Sequence, residues 1–131
     1  MSQEKLETVR AAYEEFARGD FSSWDELPED FEFVTSSEVP DAGTYRGEAA
    51  VRWMKAWVES FEGHTIEATT LIDAGDDMVV VEIVQRGRAH GSETVIEGNW
   101  WQAVKLRDGE VARVETFTGR AQALEAAGLT E

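Results

Sequence analysis

The second half of the chain reads as four long strands joined by three short turns, and this feature restricts the fold most. Residues 64–74, 78–89, 94–106 and 110–119 are rich in β-branched and aromatic side chains. The turns between them are the segments GDD, HGSE and RDG. Strands joined by such short connections pair with their neighbours as antiparallel hairpins. The sequence therefore predicts a meander of four strands.

Helical periodicity dominates the first half. A helix over residues 3–18 carries an apolar face and ends at Gly19, a typical helix stop. That face consists of Leu6, Val9, Tyr13 and Phe16. Similar patterns predict a short helix over 20–27, a long helix over 48–61 and a short C-terminal helix over 120–129; residues 31–39 read as a first strand, followed by a turn at Pro40, Asp41 and Gly43. This order predicts an α+β fold in which helices pack on one face of a curved antiparallel sheet.

Length and charge restrict the class of protein. With 131 residues, the chain is expected to form one domain over 1–131 with a real core. The net charge of −15 repels phosphate groups, so neither nucleic acid nor a membrane is expected as a partner. There is no cysteine, the two histidines lack metal-type spacing, and no cofactor is expected. The N-terminal residues lack the apolar core of a signal peptide, which makes a cytoplasmic location the expectation.

Two adjacent tryptophans, Trp100 and Trp101, lie within the third predicted strand. Neighbouring side chains in a strand point to opposite faces of the sheet. We expect Trp100, Gln102 and Val104 to face the helices, and Trp101 and Ala103 to face the other side. Both faces of this strand must therefore be covered by something.

Several segments together resemble the SnoaL-like branch of the NTF2-like, or ketosteroid-isomerase-like, superfamily. They are VRAAYEEFARGDFSSW, VPDAGTYRGEAAVRWMKAW, LIDAGDDMVVV, RGRAHGS, VKLRDGEVARVE and RAQALEAAGL. The resemblance covers nearly the whole chain and implies a cone: a bent sheet wrapped around a long helix, enclosing a pocket. Such proteins include isomerases, polyketide cyclases, dehydratases and epoxide hydrolases, and some only bind or assemble. The fold alone therefore leaves the function open.

The resemblance also shows where the catalytic groups of a ketosteroid isomerase would lie. The position of the carboxylate base falls on Thr35, and that of the acidic oxyanion donor falls on Gln102. The tyrosine position falls on Ala12, one residue from Tyr13. Threonine and glutamine do not titrate near neutral pH. We therefore expect no isomerase base, although Thr35 and Gln102 can hydrogen-bond to a carbonyl or hydroxyl group of a ligand.

The expected ligand pocket is aromatic with a few polar groups. It comprises Tyr13, Thr35, Trp53, Trp57, Trp100, Gln102 and Thr116, with Tyr45 nearby. These residues suit a flat, mostly apolar ligand. Simple core packing is the alternative for the aromatic residues, and a solid core without a pocket would favour a non-catalytic binding or assembly module.

The remaining charged residues are expected to be structural. We predict that Glu82, Glu97 and Glu115 lie on the outer face of the sheet and pair with arginines and lysines of neighbouring strands. Those partners are Arg86, Arg88, Lys105 and Arg113. Asp30 is expected to cap or turn the chain, and His64 and His90 are expected to be exposed loop residues.

The function that this pattern favours is binding of a small hydrophobic molecule. An isomerase, cyclase or dehydratase acting on a carbonyl or polycyclic compound is the enzymatic version, and no catalytic residue can be assigned from the sequence. We also predict a homodimer through the convex sheet face, where Trp101, Ala103 and Phe117 form an apolar patch. The alternative is that residues 123–129 of the same chain cover Trp101.

Overall fold

The computed structural model describes residues 2–39, 42–75 and 77–129. Its helices are α1 (Ser2–Ala17), a 3₁₀ helix (Ser22–Glu26), α2 (Glu48–Glu59) and α3 (Arg120–Ala126). Its strands are β1 (Glu32–Val34), β2 (Thr44–Arg46), β3 (Glu62–Asp73), β4 (Met78–Arg88), β5 (Val95–Arg107) and β6 (Glu110–Phe117). No helix in these ranges is long and apolar enough to cross a membrane.

The six strands form one curved, open sheet in the order β2-β1-β6-β5-β4-β3. Strands β3 to β6 form the predicted antiparallel meander. The α+β fold class is confirmed, but the expectation of a wholly antiparallel sheet is wrong, because β1 pairs in parallel with β6. A parallel neighbour needs a long connection, and the chain between β1 and β6 supplies it with α2 and the meander.

The first strand is shorter than predicted. It ends at Val34, and the Ser36 hydroxyl then accepts a hydrogen bond from the Glu38 backbone N–H at 3.2 Å, which makes a turn. The Thr35 hydroxyl accepts one from the Gly43 N–H at 2.8 Å. This closes the loop and leads into β2, an antiparallel partner of β1 that the sequence analysis missed. Of the predicted turn residues, Pro40 and Asp41 lie outside the described residues.

Two apolar clusters cover the two faces of the sheet. The larger lies between the concave face and helices α1 and α2, and includes Val9, Phe31 and Val104. The smaller lies on the convex face, where Ala123 and Leu124 of α3 pack on Trp101. The guanidinium carbon of Arg120 lies 5.5 Å from the centre of the Trp101 ring. The short C-terminal helix is therefore the cover of the convex face.

This packing corrects the expectation of an exposed dimer patch. Trp101 is only 8% exposed and Ala103 is 3% exposed. Phe117 packs partly buried against the same cluster. The alternative, in which residues 123–129 of the same chain cover Trp101, describes the structure. Dimerisation stays a prediction, but an exposed Trp101 no longer supports it.

We predict that Trp101→Ala lowers the free energy of unfolding by about 3 to 5 kcal/mol, because it removes a buried aromatic side chain. Urea denaturation followed by circular dichroism measures the change. Val95→Ala is the control, since Val95 is 61% exposed and its truncation should change the stability by no more than about 0.5 kcal/mol. Equal stability of Trp101→Ala and wild type would contradict the burial described here.

Candidate ligand-binding site

A cavity of about 330 Å³ lies between the concave face of the sheet and the helices. All seven residues predicted for the pocket line it: Tyr13, Thr35, Trp53, Trp57, Trp100, Gln102 and Thr116. The wall also contains residues that the sequence analysis did not single out, among them Phe33, Met54, Ile66, Ile83 and Gln85. The aromatic residues pack on one another and still leave an open space. Whether that space receives a ligand stays a prediction.

The predicted alternation of side chains along β5 is correct, and it brings the inward residues of this strand together at the cavity. The pairing of β4 with β5 continues from Met78↔Lys105 to Arg88↔Val95 without a register shift. Because no bulge interrupts the alternation, Trp100, Gln102 and Val104 all line the cavity. The same alternation applies to β4. Because Glu82 was predicted to point outward, Ile83 and Gln85 are expected to point inward, and both line the cavity. That signal could have identified Gln85 from the sequence.

A hydrogen-bonded network crosses the cavity wall. The Tyr13 hydroxyl on α1 donates to Oε1 of Gln102 on β5. Nε2 of Gln102 donates to the Thr116 hydroxyl on β6 at 3.2 Å, which is possible because Gln102 and Thr116 are register partners. Burial raises the pKa of the Tyr13 phenol above its ordinary value, so this hydroxyl stays protonated. The resemblance placed the tyrosine position of a ketosteroid isomerase on Ala12. In the structure, Tyr13 makes the polar contact instead.

The network retains hydrogen-bond donors. Tyr13 and Thr116 each carry one hydroxyl hydrogen, and the Gln102 amide carries two hydrogens. The network's two bonds use one hydroxyl hydrogen and one amide hydrogen. One of each remains, and this count is the same if the amide is turned over. The wall therefore has donors available for an acceptor atom in the cavity.

Thr35 occupies the position that a ketosteroid isomerase gives to its base, and here it has a structural partner. The residue is 7% exposed, and its hydroxyl accepts the bond from Gly43 described above. It also lies 3.4 Å from the Gly43 carbonyl oxygen. Thr35 thus closes the loop that borders the cavity while its side chain lines the wall.

Tryptophans form the flat side of the cavity. Trp53 and Trp57 lie one helical turn apart on α2, and their rings are nearly parallel, at 7° with centres 5.7 Å apart. Trp100 meets Trp57 edge to face, with centres 6.5 Å apart. The Trp57 indole N–H donates to Oε1 of Gln85 at 3.0 Å, which fixes its ring. This arrangement presents aromatic surface to the cavity from two directions.

The strand carboxylates lie outside the cavity, as expected, but among the described residues only Glu97 forms the predicted ion pair with a neighbouring strand. Glu97 pairs with Arg86 across the β4–β5 hairpin at 2.7 Å. Glu82 accepts a hydrogen bond from the Thr70 hydroxyl at 3.1 Å. Glu115 lies 3.8 Å from the Arg113 guanidinium. None of the three carboxylates is among the described residues of the cavity wall.

Asp30 and Arg88 are structural, as predicted. Asp30 pairs with Arg107 at 2.7 Å, and this hydrogen bond lowers the pKa of the Asp30 carboxyl. Arg88 on β4 lies 3.7 Å from Glu62 on β3, an ordinary charge pair between neighbouring strands. Within the described ranges no group of three or more histidine, aspartate or glutamate side chains is arranged to hold a metal ion.

The prediction for His64 is wrong, and that for His90 is correct. His90 is exposed, with Nε2 at 2.8 Å from the Glu59 carbonyl oxygen. His64 is 5% exposed, and its ring is nearly perpendicular to those of Phe21 and Phe61, with ring centres 6.2 and 5.4 Å away. The cause is that β3 begins at Glu62, two residues before the predicted start, with a register irregularity between Glu62 and Thr65.

Comparison with known proteins identifies the architecture. No protein-family model matches the sequence, and no curated protein matches it. Among solved structures, TerC co-crystallised with polyporic acid has 21% identity and a TM-score of 0.70, covering 95% of this chain and 98% of its own. A ketosteroid-isomerase-like protein from Catenulispora acidiphila DSM 44928, in complex with trimethylamine, has 18% identity and a TM-score of 0.70, covering 94% and 93%. The chain has the NTF2-like fold.

A third structure of this fold is a candidate SnoaL-like polyketide cyclase from Jannaschia sp. CCS1, with 19% identity and a TM-score of 0.67, covering 95% of this chain and 91% of its own. The resemblance inferred from the sequence is therefore confirmed for the fold. At these identities the likeness does not extend to an activity. In this NTF2-like chain, the chemistry has to be argued from the cavity itself.

The buried histidine generates a pH prediction. Burial lowers the pKa of His64 below its ordinary value, so the folded protein holds this residue neutral. The unfolded chain takes up the proton first as the pH falls below about 6.5. The contribution of His64 to stability is therefore complete above that pH and is lost as the pH falls from about 6.5 towards the folded-state pKa.

We expect His64→Gln to reduce the loss of stability between about pH 7.5 and pH 5.5, because it removes this proton uptake. Urea midpoints at the two pH values measure the difference. The matched control is His90→Gln, which should follow wild type because His90 is exposed. If His64→Gln and wild type lose the same stability over this interval, the conclusion that the folded protein keeps His64 neutral is wrong.

Proposed function

We propose that this protein binds a flat, mostly apolar carbonyl compound in the cone cavity. The carbonyl oxygen accepts hydrogen bonds from the network of Tyr13, Gln102 and Thr116. The observation that carries this proposal is the pair of unused donor hydrogens in a wall built mainly from aromatic and aliphatic side chains. Buried donors without an acceptor cost free energy, and a ligand oxygen removes that cost.

The size and shape of the cavity support this class of ligand. A volume of about 330 Å³ lies at the small end of the range in which ligand pockets fall, roughly 300–1,000 Å³. The parallel rings of Trp53 and Trp57 and the perpendicular Trp100 favour a flat ring system. Proteins of the same fold have been crystallised with polyporic acid and with trimethylamine, which supports a small molecule as the occupant here.

The wall favours binding over acid–base catalysis. Thr35 stands where the isomerase base is expected, and its hydroxyl is occupied by the Gly43 N–H. The carboxylates among the described wall residues are Glu26 and Glu110, and both are exposed at the edge of the cavity. A reaction of the isomerase, cyclase or dehydratase type needs a positioned base close to the substrate. A non-catalytic binding module is therefore the first form of this proposal, and an enzyme is its alternative.

We predict that Gln102→Leu weakens binding of 2-acetylnaphthalene by roughly tenfold, because it removes the free amide donor and the two hydrogen bonds that hold the Tyr13 and Thr116 hydroxyls in place. Isothermal titration calorimetry measures the affinity. Thr116→Val, of similar shape, should weaken binding in the same direction. The control is Gln122→Leu, an exposed glutamine on α3 that does not line this cavity. Unchanged affinity in both network variants, or no binding of the ketone to wild type, would overturn the proposal.

We also predict that the protein does not isomerise a β,γ-unsaturated ketosteroid, because Thr35 cannot take the proton. The assay follows the absorbance of the conjugated product. Thr35→Asp is the informative variant, since its carboxylate supplies a base and can still accept the Gly43 N–H bond. Wild-type turnover at the rate of a dedicated isomerase would contradict the prediction. Activity confined to Thr35→Asp would show that the base alone is missing.

A further inference from the structure

We infer that the cavity selects its ligand by charge: it admits uncharged carbonyl compounds and excludes the corresponding carboxylates, with Glu26 and Glu110 as specificity-determining residues at its opening. This inference rests on the proposed function and names the class of ligand more narrowly. It follows from two separate parts of the site, the interior wall and the rim.

The interior offers hydrogen bonds but no positive charge. The polar groups of the network are a phenol, an amide and a hydroxyl, all neutral. Lysine, arginine and histidine are missing among the described residues of the wall. A carboxylate that moves from water into this interior loses its hydration without gaining an ion pair. That transfer costs free energy. A ketone or ester oxygen uses the same donors without that loss.

The pKa of Tyr13 also indicates an interior that disfavours negative charge. This pKa is raised because burial disfavours the charged phenolate. The hydroxyl also keeps its hydrogen bond to Gln102, so a neutral group is well accommodated at this point of the wall. A ligand anion placed beside the network meets the same unfavourable surroundings as the phenolate.

Negative charge also lies at the exposed edge of the cavity. Glu26 ends the 3₁₀ helix and Glu110 begins β6, and both are exposed although they line the cavity. Residues that are exposed and also line a cavity mark its entrance. The neighbouring apolar rim residues are Leu27, Pro28 and Val111. A ligand that enters at this edge therefore meets two carboxylates.

Arg107 offsets these charges only in part, because it is the register partner of Glu110 and also pairs with Asp30. Arg107 lies just before the β5–β6 turn, and its guanidinium is paired with Asp30 at 2.7 Å. Asp108, in the turn itself, adds another carboxylate near Glu110. The net charge of −15 for the whole chain has the same sign. A negative rim lowers the local concentration of anions and slows their entry.

The test compares methyl 2-naphthoate with 2-naphthoate, which share one ring system and differ in charge at neutral pH. Calorimetric titration of wild type at low salt should show the ester bound at least tenfold more tightly than the acid. In Glu26→Gln/Glu110→Gln, the ratio of ester to acid affinity should fall by roughly twofold to fivefold for each charge removed, the range of exposed charge interactions. High salt should reduce the effect of the rim variants, because it screens exposed charges.

A matched control is Glu67→Gln/Glu93→Gln, which removes two exposed carboxylates that do not line the cavity. It should keep the wild-type ratio of affinities. If the acid binds wild type as tightly as the ester, charge selection is wrong while the proposed function stands. If neither compound binds, the proposed function fails and this inference with it. If the acid is weak but the rim variants keep the wild-type ratio, the assignment to Glu26 and Glu110 is overturned.

Discussion

The pleat of β5 is the constraint on which the rest of the structure depends. Along this strand each residue faces the opposite side from its neighbour, and neither side of its central part is left to water. Trp100 and Gln102 face the cavity, while Trp101 and Ala103 are buried on the convex face. The fold therefore needs one cover for each face. Helices α1 and α2 form the first, and the seven-residue helix α3 forms the second.

The concave cover leaves space unfilled. On the convex face, Ala123 and Leu124 are buried against Trp101. On the concave face, Trp53 stacks on Trp57 and Trp100 meets Trp57 edge to face, and these large rings leave an open cavity. Protein interiors are normally packed as densely as organic crystals, and an apolar void lowers stability. The concave side is therefore a part of the fold where packing is incomplete.

Periodicity predicted the sheet well because the strands in the second half of the chain are long and their side chains alternate regularly. The inward positions of Trp100, Gln102 and Thr116 follow from alternation alone, and the structure places all three on the cavity wall. Elements of three residues carry too little period to detect, which is why β2 was missed. His64 was misplaced because a strand start with an irregular register hides its phase. The parallel pairing of β1 with β6 depends on contacts far apart in sequence, which local patterns do not contain.

The cover of Trp101 shows the limit of reasoning from an apolar patch. Alternation correctly predicted that Trp101 points away from the cavity. An exposed apolar patch that contains Trp101, Ala103 and Phe117 would need a surface to cover it. It does not specify whether the partner is another chain or a distant segment of the same one. Here the segment that follows β6 directly returns over the sheet, so a short connection brings the cover close at little entropic cost. Because the chain supplies its own cover in this way, the apolar character of Trp101 by itself gives no reason to expect a second chain on the convex face.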